Sequence, residues 1–216
     1  TADRARYLAA WLAEEEGDDT AATELFGALR EANREEIAVG LTRQLPRLAV
    51  VCGEDVGQPQ RRAACEAGAE LMGVPSLRDL TVSDLERAEQ IMNDVTYRRV
   101  CHVVTENDRV VETVRSLRET GPRSIGGLMY ASHKSMRDDF EISVDELDTA
   151  VETALRHGAV GARMTGGGFG GAAIALTPIE RISEVTNAVY AEFEACGFAR
   201  PDVFAVSAAN GAGREF

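Results

Sequence analysis

Five glycines are crowded into one short segment of the chain, and this segment is the most distinctive candidate for chemistry. It reads Thr165-Gly166-Gly167-Gly168-Phe169-Gly170-Gly171. Glycine permits backbone conformations with positive φ and lets a ligand approach the main chain closely. Successive N–H groups in such a loop can converge on phosphate oxygens. The residue types therefore indicate a phosphate-binding loop, and the alternative is a glycine-rich hairpin turn that binds nothing.

The spacing of these glycines also matches the dinucleotide-binding fingerprint Gly-x-Gly-x-x-Gly. That fingerprint needs a helix directly after the loop, because the helix N-terminus meets the pyrophosphate. Residues 172–176 are a short apolar run and predict a strand instead. No Gly-Lys-Ser/Thr sequence follows, so the loop is not a P-loop either. We therefore predict that the loop connects two strands.

The elements that must position this loop follow from hydrophobic periodicity and from helix caps. Strands are predicted at 48–52, 159–164, 172–176 and 202–206. Helices are predicted at 61–72, 96–118 and 124–137. Three further helices are predicted behind capping boxes that begin at Ser83, Ser143 and Thr177. Strands at both ends of a helical middle indicate the α+β class, with a small antiparallel sheet packed against several helices.

The first 45 residues differ in composition from the rest of the chain. They are rich in Ala, Glu and Arg, with apolar residues at helical spacing and a break at Gly17. We expect two acidic helices there and no chemistry. The 216 residues are accordingly divided into a helical segment at 1–45, of unknown role, and a second domain at 46–216.

The charge balance argues against two classes of partner. The chain has 23 basic and 36 acidic residues, a formal net charge of −13. A field of that sign repels nucleic-acid phosphates and anionic lipid, so we expect neither nucleic acid nor membrane as a partner. The four cysteines include no Cys-x-x-Cys pair, so the sequence predicts no zinc site. Without an apolar signal sequence at its start, the chain is expected to be cytoplasmic.

The residues around the glycine loop carry a resemblance to a known family. The segment 161–171 closely resembles the third signature motif of galactokinases, which belong to the GHMP superfamily of small-molecule kinases. Four other segments resemble the same family in the same order, at 61–66, 76–79, 102–107 and 132–140. Kinases that act on arabinose or N-acetylgalactosamine share much of this pattern. The resemblance implies the fold of a GHMP kinase C-terminal domain.

The resemblance also implies an activity and a set of site residues. The implied reaction is ATP-dependent phosphorylation of galactose or a related sugar at the anomeric hydroxyl, with ATP and Mg²⁺ as cofactors. In such kinases the protein mainly positions groups and stabilises charge. The residues expected beside the sugar and the phosphates are Thr165, Gly166, Gly167, Gly168, Phe169, Gly170 and Gly171. Further pocket candidates are Ser132, His133 and Arg163, and no catalytic residue or metal ligand is assigned.

Several of these side chains have two interpretations. His133 either lines the pocket or holds a turn through its ring N–H, and we favour the structural role. Arg163 either neutralises a phosphate or pairs with a carboxylate, and we favour pairing. Arg61 and Arg62 open a predicted helix, where cations are slightly unfavourable, which indicates a specific partner for them.

The resemblance covers only the C-terminal half of a galactokinase. The family's early Gly-Glu-His signature, its serine-rich phosphate loop and its catalytic aspartate have no counterpart in these residues, and Gln58 stands where the family usually has a sugar-contacting tyrosine. We therefore expect the isolated chain to be inactive. Its expected protein partner is a separate N-terminal half or a second copy of itself. The alternative is a non-catalytic module that binds a sugar, a nucleotide or another protein.

Overall fold

One antiparallel sheet organises the fold. The computed structural model describes residues 36–42 and 57–206. The strands of the sheet are Glu36–Thr42 (β1), Gly161–Thr165 (β2), Ala172–Pro178 (β3) and Asp202–Val206 (β4). They lie in the order β2-β3-β1-β4, and each neighbouring pair is antiparallel. The predicted α+β class with a small antiparallel sheet is confirmed.

Helices make up most of the remainder of the described residues. The α-helices are Gly57–Met72 (α1), Leu85–Ile91 (α2), Asp94–Thr120 (α3), Gly126–Asp138 (α4), Asp145–Arg156 (α5) and Ile182–Ala195 (α6). Short 3₁₀ turns occur at Leu77–Asp79, Val82–Asp84, Pro122–Ile125 and Ile179–Arg181. The three long helices predicted from periodicity are therefore present, and α1 begins four residues earlier than expected.

Strand β1 differs from the helical expectation for residues 1–45. It pairs with β3 over seven residues and with β4 over five, so it lies inside the sheet. Pairing on both sides supplies backbone ladder hydrogen bonds to two neighbouring strands, and this tertiary context overrides the local propensity of a short segment. Residues 1–35 and the predicted strand at 48–52 lie outside the described residues. Residues 36–42 join the sheet of the second domain, and the boundary at residue 45 stays a prediction.

The predicted capping boxes differ in detail from the observed helix starts. In place of the box expected at Ser83, Thr81 and Asp84 form one two residues earlier, with the Thr81 N–H donating to Asp84 Oδ2 at 2.8 Å. The Ser143 hydroxyl donates to Asp148 Oδ1 at 2.5 Å, one turn into α5, rather than capping the first turn. The third box begins inside β3, which runs two residues further than predicted. In two of the three cases a 3₁₀ turn precedes the helix and shifts its start.

Buried hydrophobic residues form two clusters. The first joins β2 and β3 to α4, α5 and α6, and it contains the fully buried Val151, Met164 and Val189. The second joins α1, α2 and α3 around Ala88 and Val100, which are also fully buried. The glycine loop begins directly after β2, so its base is fixed to the first cluster.

Two glycines allow α4 and β2 to approach each other closely. A Cβ on Gly126 would lie 2.0 Å from the carbonyl oxygen of Val160, and a Cβ on Gly161 would lie 2.5 Å from the Cα of Gly126. Both obstacles are backbone atoms, which no side-chain rotation can move aside. This close approach sets the distance between α4 and β2, and therefore the position of Ser132 and His133 relative to the strand.

The substitution Gly126→Ala tests this close approach. We expect it to lower the free energy of unfolding by about 2–3 kcal/mol, because overpacking against fixed backbone forces the helix away from the strand. The neighbouring Gly127→Ala is the control, since a Cβ there meets nothing within 4 Å. Alanine is the better helix former, so the control should gain up to about 1 kcal/mol. Urea unfolding of both variants measures the difference, and equal effects would contradict the packing argument.

Candidate functional site

The glycine-rich segment forms the connection between β2 and β3, as the sequence predicts. Thr165 pairs with Ala172 at its base. Five residues of the loop have positive φ angles: Gly166 at 99°, Gly168 at 91°, Phe169 at 58°, Gly170 at 117° and Gly171 at 103°. Glycine adopts such angles without a steric penalty, whereas Phe169 needs tertiary contacts to hold it there.

Ile142 provides those contacts. The Phe169 N–H donates to the Ile142 carbonyl oxygen at 2.7 Å. Gly168 fits against the same residue, where a Cβ would lie 2.6 Å from the Ile142 Cβ. On its other side the Phe169 ring lies under the Arg61 guanidinium, whose Cζ is 5.0 Å from the ring centroid. Because the Phe169 N–H is already bonded within the protein, any phosphate contact must come from other N–H groups of the loop.

Three arginines hold the turn that contains Ile142. Arg61 donates from Nε to the Phe140 carbonyl oxygen at 2.9 Å and from Nη2 to that of Glu141 at 2.6 Å. Arg98 and Arg99 each pair with the Glu141 carboxylate at 2.5 Å. Their hydrogen bonds lower the pKa of Glu141. Glu141 has a φ of 54°, so this arginine cluster fixes a residue in a strained backbone conformation.

Ser132 and Arg163 meet at a shared carboxylate. The Ser132 hydroxyl donates to Glu106 Oε2 at 2.6 Å, and Arg163 Nη1 lies 3.9 Å from the same oxygen. Arg109 also pairs with Glu106. Burial would raise the pKa of Glu106, but the Ser132 hydrogen bond and the two arginines outweigh it and the pKa is lowered. Arg163 thus lies beside a carboxylate, and pairing with a carboxylate is the interpretation that the sequence favours.

His133 of α4 is fully buried and contacts residues of β2 and α5. The Met164 N–H donates to its Nδ1 at 3.2 Å. Since an N–H can only donate, Nδ1 must accept, and the ring is neutral with its proton on Nε2. That atom lies 3.1 Å from Asp148 Oδ1, although the angle is too poor for a full hydrogen bond. Burial would raise the pKa of Asp148, but its contacts with His133 and Ser143 lower it. The geometry supports the structural role for His133.

A second buried histidine lies behind the turn. The His102 ring stacks on Phe140, with centroids 4.4 Å apart and an interplanar angle of 24°. Its Nδ1 lies 3.0 Å from the Ser135 hydroxyl, which donates to Asp139 Oδ2 at 2.7 Å. The single hydroxyl proton is used on the carboxylate, so His102 Nδ1 carries a proton and donates to Ser135. Burial lowers the pKa of His102 to about 4.

Four of the five segments that resemble the kinase family therefore meet around the loop. They contribute Arg61, the pair His102 and Glu106, the segment 132–140 and the loop itself. The fifth segment, 76–79, forms a 3₁₀ turn in the second cluster instead. Sequence reasoning missed six partner residues: Arg98, Arg99, Glu106, Arg109, Glu141 and Asp148. Of these, Glu106 alone lies inside a resembling segment, which is the signal that could have identified it.

The accessible part of the loop suits a phosphate ligand. Gly166 and Gly167 are exposed, and neither has a side chain of its own to shield its main chain. Within residues 36–42 and 57–206, no three His, Cys, Asp or Glu side chains are grouped to hold a metal ion. In the same part of the chain, every helix is too short or too polar to traverse a bilayer.

Comparison with known proteins places this arrangement in a class. Residues 113–195 match the family described as GHMP kinases C terminal. A galactokinase of Streptomyces coelicolor is 43% identical over 198 residues, which cover 88% of this chain and 51% of that protein. A galactokinase of Mycobacterium tuberculosis is 43% identical over 152 residues, 70% of this chain and 42% of that protein. The crystal structure of Lactococcus lactis galactokinase complexed with galactose matches with a TM-score of 0.75 and 28% identity, over 82% of this chain and 46% of that one.

The chain therefore contains the C-terminal domain of a GHMP kinase, a family that uses ATP. Within this superfamily it belongs with the galactokinases and corresponds to their C-terminal half. It spans about half the length of the galactokinases that it matches.

Acidification tests the buried, neutral state of His102. The pKa of this residue is about 4 in the folded chain, against an ordinary value of 6.5. Below pH 6.5 the unfolded chain takes up a proton that the folded chain does not bind until about pH 4. His102 should therefore remove about 3 kcal/mol of stability between pH 7 and pH 4.

The variant His102→Asn isolates this contribution. It keeps a donor for Ser135 but does not titrate, so its free energy of unfolding should fall less steeply across the same pH interval. Urea unfolding at several pH values gives the two slopes. Parallel slopes would show that His102 is not held neutral by burial.

Proposed function

We propose that this chain supplies the C-terminal part of an ATP-dependent sugar kinase. The reaction transfers the γ-phosphoryl group of ATP to the anomeric hydroxyl of galactose or a related sugar. The observation that carries the proposal is the glycine loop between β2 and β3, in a chain related to galactokinases. The Lactococcus lactis relative was solved with galactose, which supports this class of substrate.

In this proposal the loop and its surroundings have different tasks. The main chain of the loop contacts the sugar and the phosphates, through Thr165, Gly166, Gly167, Gly168, Phe169, Gly170 and Gly171. Its N–H groups other than that of Phe169 stabilise developing negative charge, a type of contact typically worth a few kcal/mol of barrier. Ser132, His133 and Arg163 support the base of the loop, since each contacts a buried or partly buried partner on another element.

We further propose that these 216 residues do not catalyse the reaction by themselves. The chain spans about half of its relatives, and the implied catalytic aspartate and nucleotide loop have no counterpart in it. ATP and Mg²⁺ are the proposed cofactors, an N-terminal half is the proposed partner, and the proposed location is the cytoplasm. A coupled assay of the purified chain should show no galactose-dependent ADP production. Turnover above the background rate would contradict this part of the proposal.

Ligand binding by the loop is tested by thermal unfolding with and without MgADP plus galactose at millimolar concentration. A ligand at about 100 times its Kd adds roughly 2.7 kcal/mol, which raises the Tm of a chain this size by roughly 5–10 °C. Such a shift without turnover would favour a binding role for the isolated chain. An unchanged and still cooperative transition would contradict the proposed pocket.

Two variants at glycines with positive φ test whether the ligand binds at the loop. Gly168→Ala should abolish the ligand-induced shift, because its φ of 91° strains alanine and its Cβ would meet Ile142 at 2.6 Å. Gly197→Ala shares the positive φ, at 72°, but meets nothing within 4 Å and lies after α6. Gly197→Ala should lower the free energy of unfolding but keep the ligand-induced rise in Tm. Equal shifts in both variants would place the ligand away from the loop.

A further inference from the structure

Arg61 contacts the glycine loop by two separate routes. Its guanidinium covers the Phe169 ring directly, at 5.0 Å from Cζ to the centroid. It also donates to the carbonyl oxygens of Phe140 and Glu141, and the next residue, Ile142, accepts the Phe169 N–H. One side chain therefore acts on Phe169 both directly, through the ring, and indirectly, through the turn that accepts its N–H.

The turn that Arg61 holds would not keep its shape without support. Glu141 has a φ of 54°, a conformation that a non-glycine residue keeps only when its surroundings enforce it. Arg98 and Arg99 fix its carboxylate, whereas Arg61 fixes its carbonyl group. Arg98 and Arg99 also donate to the carbonyl oxygens of Asp138 and Asp139, so all three arginines hold the backbone here. Arg61 bonds the two carbonyls directly before Ile142, those of Phe140 and Glu141.

The position of Arg61 in the fold supports a dedicated role. It lies in the second turn of α1, and its side chain is only 13% exposed. Arg62, beside it, points elsewhere: it is 82% exposed and pairs with Glu66 on the same helix. The contacts of Arg61 span about 80 residues of sequence and link α1 to the turn before α5.

We propose that Arg61 is a positioning residue for the glycine loop. By fixing the 140–142 turn and the Phe169 ring together, it holds the other N–H groups of the loop in the arrangement that receives a phosphate. The phosphate ligand rests on the proposed function, whereas the positioning itself does not. Lysine cannot replace Arg61, because one ammonium group cannot match the fixed fork of a guanidinium that bonds two carbonyls and covers a ring.

Amide hydrogen exchange of the ¹⁵N-labelled 216-residue chain tests the positioning. In Arg61→Gln the Phe169 amide should exchange at least about tenfold faster, while the amides of Val151 and Val189 keep their parent rates. Arg61→Lys should fall between Arg61→Gln and the parent chain. Arg62→Gln is the control and should change neither group of amides.

The outcomes separate local positioning from general stability. If Arg61→Gln accelerates Phe169, Val151 and Val189 by the same factor, Arg61 only stabilises the fold and the proposal is wrong. An unchanged Phe169 rate in both Arg61 variants would also overturn it. Titration with MgADP is the second arm, in which Arg61→Gln should weaken binding at least about tenfold relative to Arg62→Gln. If the parent chain binds no MgADP, the proposed phosphate contact of the loop in the isolated chain fails, and the exchange rates still decide whether Arg61 positions the loop.

Discussion

Phe169 donates its backbone N–H to the carbonyl of Ile142, and Gly168 fits against the same residue with no room for a side chain. This contact joins the loop after β2 to the turn before α5. The loop cannot take its observed shape unless the turn is in place, because Phe169 holds a positive φ only with outside support. This turn depends on arginine side chains from α1 and α3. A loop that sequence presents as a local motif is therefore a product of long-range packing.

Beneath the loop, buried and partly buried polar groups contact one another across several elements. His133 accepts from the Met164 N–H and contacts Asp148, while Ser132 and Arg163 share Glu106. In a low-dielectric interior such networks fix one arrangement of the elements, because leaving any member unpaired is costly. The close approach of Gly126 to Val160 sets the spacing in which these bonds fit. The result is a rigid base for a loop whose tip remains accessible.

The sequence was sufficient to predict what depends on local pattern. Glycine composition and the apolar run at 172–176 predicted a loop between two strands, and periodicity predicted α3 closely. Strand β1 was missed because its stability comes from β3 and β4, which lie more than 100 residues away. The sequence marks Arg61 as an odd cation near a helix start and as part of a family-like segment, but it does not identify the carbonyl partners, which are 79 and 80 residues distant. The residues of the candidate site could thus be predicted from their types, whereas the contacts that hold them could not.

In the function proposed above, the glycine loop is already shaped by the protein and receives a phosphate group. A ¹H–¹⁵N spectrum of the chain labelled only at glycine and titrated with MgADP tests this most directly. We expect the signals of Gly166 and Gly167 to shift together and saturate, while those of Gly127 and Gly197 stay in place. Saturating shifts confined to glycines outside the loop, or no shifts at millimolar MgADP, would contradict it.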